Sequence, residues 1–102
     1  MACGIVELVK LLYEDFDAFC EKLKKFEEAG VISDLWIDKK NGVVGAKGPT
    51  GTGVAIIRTI DPVNAFVLLN LLFYGQYFIY LPDFKEAFKQ IKKYWKELKR
   101  KK

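Results

Sequence analysis

The stretch VISDLWIDKKNGVVGAKG, residues 31–48, contains the clearest hairpin signal in the chain. Asn41-Gly42 is a dipeptide typical of two-residue hairpin turns, because both residues tolerate the positive φ angles that such turns require. Apolar, β-branched runs flank the dipeptide on both sides. Residues 31–38 and 43–46 are therefore predicted to form two antiparallel strands.

The glycine-rich segment GAKGPTGTG, residues 45–53, is predicted to connect this hairpin to a further strand at 53–60. A phosphate-binding loop reads GxxxxGK[ST] and leads into a helix. Here a strand is predicted to follow instead, so no helix N-terminus is present to hold a phosphate. A flexible connection is the favoured interpretation, and weak anion binding by Lys47 and backbone amides is the alternative.

Helices are predicted on both sides of these strands. Residues 14–30 carry apolar side chains at helical spacing and acidic side chains in the first turn. The pair Asp61-Pro62 is a typical helix start, so a helix is predicted over residues 62–74. A last amphipathic helix is predicted over residues 83–98.

Two further segments complete the predicted fold. Residues 4–13, GIVELVKLLY, suit either a strand or an extension of the first helix, and their β-branched residues favour the strand. Residues 76–81, QYFIYL, are predicted to be a short aromatic strand. The resulting order, strand, helix, strand, strand, helix, strand, is that of a ferredoxin-like sandwich.

The predicted fold is accordingly an α+β, two-layer sandwich within a single domain, residues 1–102. Its two pseudo-repeated βαβ-type halves cover about 1–48 and 53–98, and the last helix is an addition to them. The first predicted helix resembles the last in sequence, which is consistent with an internal duplication. Residues 99–102 are predicted to be a basic tail.

Charge divides the chain into three regions. Residues 1–38 carry four Lys and nine acids, net −5. Residues 39–82 carry four basic residues and one acid, net +3, and residues 83–102 carry nine basic residues and three acids, net +6. The basic set is fifteen Lys and two Arg, whereas recognition of phosphate and of guanine edges usually relies on Arg.

Little in the sequence suits catalysis, and no enzyme activity is predicted. The chain has no His and a single Ser, so the common general bases and nucleophile sets are missing. Cys3 and Cys20 do not have zinc-ligand spacing. No metal or cofactor is predicted, and reduced thiols are favoured over a disulfide.

The most informative block is PVNAFVLLNLLFYGQYFIYLP, residues 62–82, which contains no charged residue. Integral membrane insertion is not expected, because Asn64, Asn70, Gly75 and Gln76 interrupt it. A helix without a polar face must be covered on two sides, and a domain of this size offers few layers. The block is therefore predicted to supply a subunit or peptide interface, or a groove between the two halves. The predicted contact residues are Trp36, Phe66, Leu69, Asn70, Phe73, Tyr74 and Tyr77.

The function predicted from these features is a non-enzymatic protein–protein interaction module. It would bind a protein or peptide partner, or a second copy of itself as a homodimer, in the groove between the halves. The alternative is nucleic-acid binding through the sheet face and the Lys-rich last helix. The contacts for that alternative are Lys92, Lys96, Lys99 and Arg100.

The opening MACGIVELVKLLYEDFD, the His-free composition rich in Lys and aromatic residues, and the chain length together resemble a small protein of filamentous viruses of hyperthermophilic archaea, of the Acidianus filamentous virus type. The likeness covers the whole chain and involves no functional motif. It implies a location in the host-cell cytoplasm and thermostability from a charge-rich surface. It carries over no catalytic residue.

Overall fold

The computed structural model describes residues 1–101, and within them the chain has four α-helices and one antiparallel sheet of three strands. The helices are α1 (Ala2–Glu14), α2 (Phe16–Glu28), α3 (Pro62–Tyr74) and α4 (Phe84–Arg100). The strands are β1 (Ser33–Asp38), β2 (Val43–Lys47) and β3 (Gly53–Ile57), and they lie in the sheet in chain order. The predicted α+β class is confirmed.

A hairpin joins β1 to β2 at the predicted place, but its loop has four residues, 39–42, and of the predicted pair Gly42 alone has a positive φ, +68°. Cross-strand pairs such as Ile37 with Val44, and Val44 with Ile56, place apolar side chains on one face of the sheet. That inner face packs against α2 and α3. The opposite, outer face carries Trp36 and Ile57, and both side chains are exposed.

The strand predicted over residues 4–13 is wrong, because these residues lie in α1. The apolar side chains of Ile5, Leu8, Val9 and Leu12 recur at helical spacing, and all four are buried. This stripe packs simultaneously against α2, α3 and α4. Burial on three sides stabilises the helix by more than the lower helix propensity of its β-branched residues destabilises it.

The N-terminus of α1 is capped from the far end of the chain. The Asp83 carboxylate accepts hydrogen bonds from the backbone N–H groups of Ala2, at 3.1 Å, and Cys3, at 3.0 Å. Met1 supplies no side-chain cap. Because Asp83 directly precedes α4, these two bonds tie the starts of α1 and α4 together.

The strand predicted over residues 76–81 is also wrong. The segment contains a short 3₁₀ helix, Phe78–Tyr80, held by bonds such as that from the Tyr80 N–H to the Tyr77 carbonyl. Gly75 ends α3 with a φ of +75° and turns the chain. With both outer strands absent, the ferredoxin-like arrangement of two βαβ halves is not confirmed.

The remaining boundaries need small adjustments. The third predicted strand ends at Ile57, and turn residues follow it as far as Ile60. The first two residues of the predicted basic tail, Lys99 and Arg100, belong to α4. Lys102 lies outside the described residues.

Helix α3 is enclosed by its own chain. It packs against α1, α4 and β3, and Asn64 is its single exposed residue. The sequence-based expectation that one small domain could not cover this uncharged helix is therefore wrong. Three of the large apolar side chains that are exposed lie in the segment after α3, at Tyr77, Ile79 and Tyr80.

Candidate functional site

An apolar groove of about 460 Å³ opens between α1, α2 and α3, and we call it the α1–α2–α3 groove. Its lining residues are Met1, Gly4, Ile5, Glu7, Leu8, Leu11, Lys22, Phe26, Phe73 and Tyr74. Most of these side chains are aliphatic or aromatic, so water in the groove finds few hydrogen-bond partners. A concave apolar surface with a few polar groups is the usual form of a binding site.

Helix α1 forms the floor of this groove. Gly4, Leu8 and Leu11 lie on one helical face at i, i+4 and i+7 spacing. The stretch from Gly4 to Leu11 spans roughly 10 Å at the helical rise per residue. A Cβ atom at Gly4 would meet no other atom within 4 Å, so the missing side chain leaves open space at one end of the floor.

The walls are aromatic. Phe26 of α2 and Phe73 of α3 approach edge to face, with ring centroids 5.0 Å apart. The Lys22 ammonium lies over the Phe26 ring, 6.0 Å from its centroid. The two rings join α2 to α3 at the groove.

Polar groups occupy the rim of the groove. The Tyr74 hydroxyl accepts a hydrogen bond from the Met1 amino group at 2.5 Å. Burial, together with the nearby negative charge of Asp83, raises the pKa of Tyr74 above its ordinary value, so the phenol is neutral at physiological pH. Glu7 forms a solvent-exposed ion pair with Lys10 at 3.9 Å. The rim therefore offers both signs of charge around an apolar floor.

The seven predicted contact residues do not form one surface. Phe66, Leu69 and Asn70 are fully buried in the core, so their side chains contact no partner from the solvent. Phe73 and Tyr74 line the α1–α2–α3 groove. The other two, Trp36 and Tyr77, are exposed at separate places.

Trp36 lies on the outer face of the sheet. Its indole ring covers Gly45 of β2, since a Cβ atom at Gly45 would lie only 2.2 Å from the Trp36 Nε1. The ring is 50% exposed, with one face against the strand. The Asp34 residue beside it has a φ of +54°, and the register shift in β1 lies between Ser33 and Trp36.

The four basic residues predicted for the nucleic-acid alternative are exposed on α4. The ammonium of Lys92 lies 4.9 Å from the Phe88 ring centroid, and that of Lys99 lies 4.1 Å from the Trp95 centroid. Helix α4 packs mainly against α1, α3 and the 3₁₀ helix, not against the sheet. The sheet face and the α4 lysines therefore belong to different parts of the molecule.

Catalytic and metal-binding groups are sparse in the same structure. Residues 1–101 contain no cluster of three or more His, Cys, Asp or Glu side chains placed to hold a metal ion. Cys3 and Cys20 are free, and burial raises the pKa of both thiols above the ordinary value, which lowers the thiolate fraction at neutral pH.

Sequence reasoning missed the floor and one wall of the groove. The residues involved are Gly4, Ile5, Leu8 and Leu11 of α1 and Phe26 of α2. The helical spacing of the apolar residues in 4–13 was the signal that could have found the floor. Phe26 was identified only as part of a core-facing stripe.

Comparisons with known proteins assign no function to this groove. No protein-family model, curated protein or solved structure matches the chain. Within residues 1–101, none of the helices combines the length and apolar character needed to span a membrane.

Proposed function

We propose that the protein is a non-enzymatic interaction module that binds apolar side chains of a protein or peptide partner in the α1–α2–α3 groove. The observation that carries the proposal is the open groove itself, with its aliphatic floor and its Phe26–Phe73 wall. Filling such a groove removes apolar surface from water, which is the main driving force of most protein association.

The shape of the groove favours a peptide segment. The floor is elongated, since three of its residues follow one another along α1 over two helical turns. Two turns of an amphipathic helix, or a few residues of extended chain, match this length. The Glu7 and Lys22 side chains at the rim would pair with polar groups that flank the apolar side chains of the partner.

Substitutions at Gly4 test whether the groove is the binding site. A Gly4→Leu substitution adds a side chain at the groove, at a position where a Cβ atom meets no other atom within 4 Å. It also replaces glycine within a helix, which raises helix propensity and so opposes any loss of stability. Gly4→Ala is the matched control, because it brings a similar gain in propensity and fills little of the groove.

Random linear peptides displayed on phage would be selected on the wild-type chain and then tested on both variants. We expect selected peptides with clustered Leu, Phe or Trp to bind wild type and Gly4→Ala alike, and Gly4→Leu at least about tenfold more weakly, the effect of one lost apolar contact of about 1.4 kcal/mol. Peptides that bind all three proteins equally, or a selection that yields none, would count against the proposal.

A further inference from the structure

Three large apolar side chains project from the turn between α3 and α4. Tyr77 is 67% exposed, Ile79 is 50% exposed and Tyr80 is 75% exposed, while Phe78 between them is buried. Scattered apolar side chains on a protein surface are ordinary, but here three lie within one turn, and the Tyr77 and Tyr80 ring centroids are 6.3 Å apart. We call residues 77–80 the tyrosine turn.

The tyrosine turn is rigidly attached to the start of α4. The ring of Phe78 packs edge to face on that of Phe84, with centroids 5.7 Å apart. Phe84 in turn stacks on Phe66 of the core at 5.9 Å. The exposed side chains therefore stand on a fixed base that continues directly into the basic helix.

Helix α4 carries an excess of positive charge. Its seven basic residues face only two acidic ones, Glu86 and Glu97. The ion pairs within residues 1–101 involve Lys10, Lys24 and Lys39, and none involves a basic residue of α4. The ammonium groups of α4 are accordingly available to external anions.

We propose that the tyrosine turn and the basic face of α4 together bind the surface of an anionic lipid membrane. Tyrosine side chains are enriched at the membrane–water interface, where an aromatic ring and a hydroxyl group are both solvated well. Lysines beside the turn would lie against acidic headgroups, each contributing a nonspecific attraction. Stable attachment at a membrane surface requires such a combination of apolar insertion and charge.

The composition of α4 favours lipid over nucleic acid. Arg100 is its single arginine, whereas bidentate recognition of phosphate and bases usually relies on arginine. Attraction to an anionic bilayer depends on charge density alone, which lysine supplies as well.

The test is flotation of the full chain with vesicles of phosphatidylserine and phosphatidylcholine, compared with vesicles of phosphatidylcholine alone. We expect binding to the anionic vesicles only, weakened by added salt. Replacing Tyr77, Ile79 and Tyr80 together by Ser should reduce it at least about tenfold, since burying apolar side chains supplies part of the affinity. The matched control replaces Trp36 and Ile57, exposed on the sheet, by Ser and should bind as wild type does.

The contribution of charge is tested by replacing Lys89, Lys93 and Lys96 by Gln. Each lysine near an anionic surface contributes about 1 kcal/mol of attraction, so the loss of three should weaken binding to the vesicles on the order of a hundredfold. The matched control removes three lysines elsewhere, at positions 25, 40 and 47, and should lose much less. Circular dichroism would verify that each variant folds.

Several results would overturn the inference. These are a failure of the full chain to float with anionic vesicles, full binding by the Ser variant of the tyrosine turn, or equal losses in the control variants. Binding of single-stranded DNA in a gel shift without vesicle binding would assign the α4 lysines to nucleic acid instead. Gly4→Leu, which fills the groove, should leave vesicle binding unchanged, so this inference and the peptide-binding proposal fail separately.

Discussion

Asn70 offers the sharpest test of how the core is built. Its side chain is fully buried in α3, and its Nδ2 donates a hydrogen bond to the Phe66 carbonyl at 2.8 Å. Its Oδ1 has no hydrogen-bond partner among the described residues. Leucine has the same branching and number of side-chain heavy atoms, so Asn70→Leu exchanges two polar atoms for methyl groups.

The expected magnitude follows from these contacts. Relieving a buried, unpaired carbonyl oxygen stabilises the fold by about 1–3 kcal/mol, and losing the bond to Phe66 costs about 0.5–1.5 kcal/mol. The higher helix propensity of leucine adds a few tenths of a kcal/mol. Asn70→Leu is therefore expected to raise the free energy of unfolding by about 1 kcal/mol, which corresponds to a Tm higher by about 4 °C.

Urea denaturation followed by circular dichroism would measure this change. The midpoint should rise while the m-value stays constant, since the extent of unfolding is the same. Asn70→Asp is the matched opposite, because it would bury a charge without a partner and should destabilise the fold by several kcal/mol. A loss of stability of 1 kcal/mol or more in Asn70→Leu would refute the reasoning.

Three further predictions concern other parts of the fold. A Cβ atom at Gly48 would lie 1.6 Å from the backbone carbonyl oxygen of Leu72. Gly48→Ala should therefore lower the free energy of unfolding, measured by urea denaturation, by at least about 2 kcal/mol. Gly53→Ala is the control and should leave it unchanged, because a Cβ atom there has only one contact, at 3.8 Å. The backbone N–H of Cys3 is the main group that lowers the pKa of Asp83 below its ordinary value; this carboxylate therefore contributes stability above the ordinary Asp pKa and loses it as the pH falls. The stability difference between wild type and Asp83→Ala should accordingly shrink as the pH falls below about 4. Burial, and then the negative charge of Glu14, raise the pKa of Tyr94 to about 12, so its stabilising contribution is complete below about pH 10 and is lost as the pH rises toward the folded value. Glu14→Gln should bring the ultraviolet absorbance of this tyrosinate to lower pH, and an unchanged titration would contradict the assignment.

The parts of the fold that could be predicted are those with local signals. Gly42 supplies the positive φ angle of its turn, and Asp61 accepts a hydrogen bond from the Asn64 N–H at the start of α3. Gly75 ends that helix. In each case the residues that determine the structure are close together in sequence.

The wrong predictions are those where distant residues decide the structure. The β-branched residues of 4–13 favour a strand locally, but α1 is buried on three sides and capped by Asp83, which is about eighty positions away in sequence. No local pattern reveals that cap. The 76–81 segment has strand-like composition, yet it forms a short 3₁₀ helix with Phe78 turned inward, because the chain reverses between Gly75 and α4.

The candidate site could be predicted only in part. Phe73 and Tyr74 were identified from the uncharged block, because an aromatic excess without charge indicates contact surface. The floor was missed because a strand at 4–13 would not place Gly4, Leu8 and Leu11 on one face. Three core residues of α3 were wrongly assigned to an interface, namely Phe66, Leu69 and Asn70. Their burial depends on how α1 and α4 pack on α3, which no local sequence pattern reveals.

The most direct measurement of the central claim maps a peptide onto the protein. A ¹⁵N-labelled chain would be titrated with a phage-selected peptide, and the changes in amide chemical shift would be assigned along the sequence. We predict that the largest changes fall on residues 4–11 of α1, on Lys22 and Phe26 of α2, and on Phe73 and Tyr74 of α3. Changes concentrated instead on the outer sheet face around Trp36, or on α4, with the groove residues unaffected, would contradict the claim that the α1–α2–α3 groove is the binding site.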